Sequence, residues 1–267
     1  MLKYPPMELT VRQRKILALV VREYINAAAP VGSSAICQKY LEEVSAATVR
    51  NELAALEEQG FLTHPYTSAG RIPTDQGYRF YVDELMEAYR LTAREKNLVE
   101  QLQAALGRDL NSLMEETGRA VQSLSENYAA VVKTDDSLLD ELTGRMRGVL
   151  AGARKESLHL SGLAKMFYEP EFADAQNIRR MMSLLDDKTE VMHLLDEHSG
   201  EETSVSIGAE LHNEPLKDCS LVAKDFFCRG ERAGALGILG PTRMRYGKIT
   251  AAVDAIARTL DEIFAEL

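Results

Sequence analysis

The stretch Pro65-Tyr66-Thr67-Ser68-Ala69-Gly70-Arg71-Ile72-Pro73-Thr74-Asp75-Gln76-Gly77-Tyr78-Arg79-Phe80-Tyr81-Val82-Asp83 constrains this chain more than any other. It follows a segment of about sixty residues whose apolar positions recur at helical spacing and read as helix-turn-helix. A short strand, a Ser68-Ala69-Gly70-Arg71 tip and a return strand predict a wing behind those helices. A wing beside a recognition helix is a device for gripping duplex DNA, so this region points to a regulator of transcription rather than an enzyme.

The helical segment has clear punctuation. Thr10 and Gln13 have capping-box spacing, and Ile16, Leu17, Val20, Val21, Tyr24 and Ile25 follow on one stripe. Pro30 and Gly32 end that helix. Ser33 or Ser34 caps a short second helix through Tyr40, with Ile36 and Tyr40 inward. A third helix is expected from Ser45 to Gly60, a residue suited to the left-handed turn after a helix. Residues 61–64 then read as a strand, Pro65 and Pro73 bracket the wing, Gly77 interrupts, and residues 78–89 form another helix.

On a helical wheel Val49, Leu53 and Leu56 share the core side of the third helix, while Ala47, Thr48, Arg50, Asn51 and Ala54 fall away from it. That outer face is small and polar enough to enter a major groove about 12 Å wide. Arg50 is suited to a bidentate contact with guanine and Asn51 to one with adenine. Ser45 and Thr48, with backbone N–H groups at the helix start, suit phosphate oxygens, as do Ser33 and Ser34 at the second helix. In the wing, Gly70 permits a tight tip, Tyr66, Thr67 and Ser68 can bond phosphates, and Arg71 can reach the minor groove. The plainer reading of each is a solvated helix face or a solvated loop cation.

The net charge of −10 looks wrong for a DNA binder until it is divided. Residues 1–90 hold 10 Lys and Arg against 11 Asp and Glu; the remainder holds 21 against 30. The acid belongs mostly to the second part, and phosphate binding needs a local positive face rather than a basic chain. Residues 1–7 lack the apolar core of a secretion signal, and no apolar run reaches the roughly 18 residues that span a bilayer. Cys37, Cys219 and Cys228 are scattered and odd in number, which argues against a disulfide framework and suits a reducing cytoplasm.

Beyond the wing, Thr92 and Glu95 form a second capping box. They open a long amphipathic helix with Val99, Leu102, Leu106, Leu110, Leu113, Val121 and Leu124 on one stripe, weakened at Gly107 and Gly118 by about 1 kcal/mol each. Residues 129–133 read as a strand, 138–152 as a helix and 174–198 as a helix after Pro170. Three more strands are expected at 205–211, 220–227 and 235–239, with Thr242 capping a last helix.

Other patterns carry little chemistry. Gly234, Gly237 and Gly240 lie within or after a strand and are not a dinucleotide fingerprint; close packing is the simpler reading. His193 and His198 do not share a helix face, and Cys219 and Cys228 lack metal spacing. Asp186-Asp187 and Glu201-Glu202 read as solvated acids. No residues qualify as catalytic, and neither a metal nor a cofactor is expected.

Residues 9–83 resemble the winged-helix domain of the HrcA family, the bacterial heat-inducible transcription repressors. The matching pieces are Pro30-Val31-Gly32-Ser33, Ser45-Ala46-Ala47-Thr48-Val49-Arg50-Asn51-Glu52, Leu56-Glu57-Glu58-Gln59-Gly60 and Ser68-Ala69-Gly70-Arg71-Ile72-Pro73-Thr74-Asp75. The second part is similar through Pro170-Glu171-Phe172, Ser206-Ile207-Gly208, Asp218-Cys219-Ser220-Leu221-Val222 and Leu239-Gly240-Pro241-Thr242-Arg243-Met244-Arg245-Tyr246. The resemblance implies a dimeric repressor of chaperone genes, bound to the inverted-repeat CIRCE operator and dependent on the GroEL chaperonin. The family has a much longer stretch between Ala130-Val131-Val132 and Leu160-Ser161-Gly162, where about 27 residues stand here. This implies a reduced GAF-like sheet and a reduced inserted dimerisation region.

The expected fold is therefore α+β in three parts: a winged helix-turn-helix DNA-binding domain over 1–90, a helical linker or dimerisation helix over 91–128, and a reduced GAF-like α/β domain over 129–267 with a helical insert at about 138–200. The expected partners are double-stranded DNA, a second copy of the chain and, by resemblance, GroEL; no membrane is expected. Two rival readings stand beside it. One is a ligand-responsive regulator whose second domain senses a small molecule. The other is an interaction scaffold that has lost DNA binding, against which Arg50, Asn51 and Arg71 argue.

Overall fold

The computed structural model describes residues 8–40, 44–66, 69–103, 110–125, 129–135, 156–166 and 168–266. The first described elements are three helices, α1 (Val11–Ala27), α2 (Ser33–Tyr40) and α3 (Ala46–Glu58). Thr10 caps α1 as its spacing predicts: its hydroxyl accepts the Gln13 N–H, and the Gln13 side chain accepts the Thr10 N–H. Ile16, Leu17, Val20 and Val21 then pack in one core with Ile36 of α2 and Val49, Leu53 and Leu56 of α3. Tyr40 does not point inward; it is exposed, and its hydroxyl bonds Glu23 on α1. The last residue of a short helix is free to serve the neighbouring helix instead of the core.

After α3, Gly60 takes φ +81° and turns the chain into an antiparallel ribbon, β1 (Leu62–Thr63) and β2 (Ile72–Pro73). Helix α4 (Asp75–Phe80) starts earlier than expected because the Thr74 hydroxyl accepts the Gly77 N–H at 3.1 Å. It passes into one π-helical turn, Tyr81–Leu85, and goes no further. Gly77 does not interrupt this helix. It lies inside it at a point of close approach, where an added Cβ would fall 2.1 Å from the Phe61 carbonyl oxygen.

The expected long helix is described as two segments, α5 (Ala93–Gln103) and α6 (Leu110–Ser125); residues 104–109 lie outside the described residues, as does the helix expected over 138–152. Thr92 and Glu95 exchange the bonds of a capping box at the start of α5. Among the described residues five strands then form one antiparallel sheet: β3 (Ala129–Asp135), β4 (Glu156–Ser161), β5 (Ser204–Ile207), β6 (Cys219–Cys228) and β7 (Glu231–Pro241). Their order is β4-β3-β7-β6-β5. The edge strand β4 was not anticipated, and the strand expected over 205–211 ends at Ile207, where a 3₁₀ turn over Gly208–Leu211 takes over.

Helices α7 (Leu163–Met166), α8 (Ala175–Asp186) and α9 (Lys188–His198) lie between β4 and β5. The single helix expected over 174–198 divides at Asp187, whose carboxylate accepts the Thr189 and Glu190 N–H groups at 3.0 and 3.3 Å and so starts a new helix. The last helix, α10 (Tyr246–Ala265), begins beyond Thr242, and no side chain caps it. Thr242 contributes its carbonyl oxygen, which accepts the Tyr246 hydroxyl at 2.6 Å.

Both faces of the sheet are covered. Leu221, Ala223, Ala235 and Leu239 pack with Met181 and Leu185 of α8 and Val191 and Leu195 of α9. Val222, Phe226, Leu236 and Ile238 turn the other way, toward Val121 and Leu124 of α6 and Ile249, Val253, Ile256 and Leu260 of α10. A sheet buried on both sides reads as nearly continuous apolar runs, which is how β6 and β7 look in sequence. Gly234 and Gly237 are sites of close packing: an added Cβ would lie 2.2 Å from the Lys133 carbonyl oxygen and 2.9 Å from Leu195. The first apolar core also holds residues of α1 to α4, so the N-terminal helices and the sheet domain share one interior. Among the described residues no helix is long and apolar enough to cross a membrane.

Candidate nucleic-acid interface

Helix α3 presents its polar face as the wheel predicts. Val49 and Leu56 are fully buried and Leu53 nearly so, while Ala47, Arg50 and Asn51 are exposed and Thr48 and Ala54 half-buried. Anchoring three apolar residues in the core leaves the opposite side no freedom to rotate inward. Ser45 is the N-cap; its hydroxyl accepts the Thr48 N–H at 3.1 Å and lies 2.9 Å from the Thr48 hydroxyl. The Thr48 N–H is therefore occupied by the cap, so a phosphate meeting this end finds two paired hydroxyls. Ser34 is exposed at the start of α2, whereas Ser33 is buried.

The ribbon places Tyr66 in solvent at 64% exposure. Thr67 and Ser68 lie outside the described residues. Gly70 acts through contact more than through turning: an added Cβ would fall 2.5 Å from the Val31 carbonyl carbon. This closeness lets Arg71 and Val31 exchange backbone hydrogen bonds of 2.9 Å, tying the ribbon to the segment between α1 and α2.

The Arg71 side chain is half-buried and already engaged. Its Nη2 lies 2.6 Å from Glu57 Oε2, near the end of α3. The other oxygen of Glu57 meets His64 Nδ1. Glu57 and His64 were not anticipated as members of this site. The pairing joins residues on opposite sides of a turn, and no periodic pattern reports it. The structure thus leaves Arg50 and Asn51 exposed on α3, puts Ser45 and Thr48 at its N-terminal end, and sets Arg71 beside an acid near its C-terminal end.

Charged contacts hold this unit on the sheet domain. Arg79 of α4 donates to Glu210 Oε1 at 2.9 Å through Nε, and the Ala209 N–H donates to Asp75 at 3.0 Å. Burial pushes the Asp75 carboxyl up, against the lowering effect of that N–H. Gly208, at φ +53°, admits the contact, since a Cβ there would lie 2.1 Å from Asp75 Oδ2. Arg243 donates to the Ile25 carbonyl oxygen of α1 at 3.0 Å, and to Glu171 and Glu169 at 2.6 and 2.5 Å.

Nothing in the rest of the described chain competes as a metal centre. No cluster of three His, Cys, Asp or Glu residues suited to a metal is found among the described residues. His198 bonds Ser206 at 2.9 Å, and burial pushes its pKa down.

The helices and the ribbon are packed on an α/β body, an arrangement that fits a transcription regulator. Comparison with known proteins narrows the class. Residues 83–250 match the family described as HrcA protein C terminal domain. The heat-inducible transcription repressor HrcA of Pelotomaculum thermopropionicum is 28% identical over 343 residues, covering 98% of this chain and 98% of that protein. Its counterpart from Desulfitobacterium hafniense is 30% identical over 339 residues, covering 96% of this chain and 98% of that protein. The aligned lengths exceed the 267 residues present here, so these relatives carry residues that this chain lacks. A crystal structure described as that of a hypothetical protein shares the fold, with a TM-score of 0.76 at 20% identity over 97% of this chain and 99% of that one. The chain belongs to the HrcA family.

Proposed function

We propose that this protein is a negative regulator of heat-shock chaperone genes that binds, as a dimer, the inverted-repeat CIRCE operator under the influence of GroEL. In this reading residues 1–90 are a winged helix-turn-helix domain, 91–128 a helical linker and 129–267 a reduced GAF-like domain, all acting in the cytoplasm. The observation that carries it is the exposed Ala47-Arg50-Asn51 face of α3, fixed outward by the burial of Val49, Leu53 and Leu56. Arg50 and Asn51 read base edges, while Ser34, Ser45, Thr48, Tyr66, Thr67 and Ser68 face phosphates. Ser33, buried at the start of α2, belongs to the same phosphate-facing set as its least accessible described member. Arg71 joins the groove contact once it leaves Glu57. Two-fold symmetry of the protein matches the inverted repeat.

Fluorescence anisotropy at fixed, near-physiological salt tests the proposal, with a CIRCE duplex against a scrambled one, with and without GroEL. Binding at least ~10³-fold tighter to the repeat is expected. Equal, salt-sensitive binding to both duplexes would overturn operator recognition, and an operator affinity indifferent to GroEL would remove the chaperonin.

A further inference from the structure

A cleft of about 480 Å³ opens where α1 meets the start of α10, within the size range and at the kind of junction that small molecules use. Its lining includes the apolar and aromatic side chains of Leu19, Ile25, Tyr81 and Tyr89. Around it stand Arg22, Arg245 and Lys248, with Glu87 the one acid among the lining residues.

The cations differ in availability. Arg22 meets Glu87 at 2.9 Å, but the Glu87 side chain is 85% exposed, so that bridge is screened and easily exchanged. Lys248 is 3.2 Å from Glu95. Arg245 is exposed and has no ion-pair partner among the described residues; it occupies the N-cap position of α10, whose first turn no side chain caps. The positive end of a 20-residue helix thus adds to the rim. An inorganic anion would use the rim and waste the wall. A neutral ring would use the wall and leave the rim unanswered.

We propose that this cleft binds a small organic anion with a flat aromatic body, its charged group at Arg245 and the first turn of α10 and its ring against Tyr81 and Tyr89. Carboxylate, sulfonate and phosphate share the required chemistry. Such a ligand touches α1 and α10 together, so its binding stabilises the contact between them. The binding step stands independently of operator recognition.

Anilinonaphthalene sulfonate is a suitable probe, with uncharged phenylnaphthylamine as its counterpart. Each is titrated into the full chain and followed by fluorescence and calorimetry. Saturable binding of one sulfonate dye per chain is expected, weaker by at least about tenfold both for the uncharged dye and in Arg245→Glu. Arg245 is exposed, so the variant should keep its far-ultraviolet circular dichroism; Arg245→Gln replaces it if it does not. Undiminished dye binding in the folded variant overturns the site, equal binding of the two dyes overturns the anionic class, and non-saturable binding overturns both.

Discussion

Arg50 and Arg71 carry the same charge into opposite surroundings. Arg50 is exposed on the outer face of α3, whereas Arg71 is held at 2.6 Å by Glu57. Their substitutions should therefore differ in kind. On the proposed role of Arg50 as a base reader, Arg50→Ala should cost on the order of 1–3 kcal/mol in operator binding and relax specificity; an unchanged preference for the operator over a scrambled duplex would sink its assignment. Glu57→Gln keeps the shape beside Arg71 and removes the competing charge. It should tighten binding to any duplex and steepen the dependence of log affinity on log salt by about one phosphate contact. A slope identical to wild type would mean that Arg71 stays where it is when DNA arrives.

At the scale of elements, the legible parts were those whose signals are local. The boxes at Thr10 and Thr92 and the buried stripe of α3 lie within a few residues of what they specify, so spacing alone places them. The edge strand β4 exists through its pairing with β3, Val131 to Leu160 and Val132 to His159, a relation between distant segments. Asp187 is exposed, as a solvated acid should be, and its carboxylate also starts α9, a role the acid pair alone does not announce. The Arg71–Glu57 pair was hidden for the same reason as β4, because a turn brings together residues that no helical or strand period connects. The box at α5 also has a pH signature. Burial pushes the Glu95 carboxyl up, but hydrogen bonds from the Thr92 N–H and hydroxyl, Lys248 and Tyr89 outweigh it and bring its pKa from 4.5 down to about 2. A depressed carboxylate contributes stability that is full above its unfolded pKa and lost as pH falls through the folded one. Urea unfolding midpoints should accordingly drop between pH 4.5 and 2, and drop less in Glu95→Gln. Parallel profiles for the two proteins would show that Glu95 plays no part.

For the whole molecule, the decisive contacts join the N-terminal helices to the sheet domain. Arg79 and Glu210 have side chains only 13% and 12% exposed, so removing Arg79 leaves a largely buried carboxylate with the Ile207 N–H as its remaining partner, whereas Asp83 and the Val205 carbonyl oxygen still hold Arg79 when Glu210 is removed. Arg79→Ala should cost roughly 3 kcal/mol, and adding Glu210→Ala should recover part of that loss. Urea denaturation of the four proteins of that cycle measures the coupling, and strictly additive costs would deny it. The joint has an apolar side as well. The Tyr78 and Tyr246 rings lie 5.9 Å apart, inside a core that runs from α1 to α10. Regulators of gene expression are often imagined as interchangeable heads on interchangeable bodies. This one would make a poor donor for such grafts: a chimera cut near residue 90 would present Tyr78 and Tyr81 on one fragment and Tyr246 and Ile249 on the other as raw apolar surface, and both halves should be sticky and prone to aggregate unless the new partner brings a matching face.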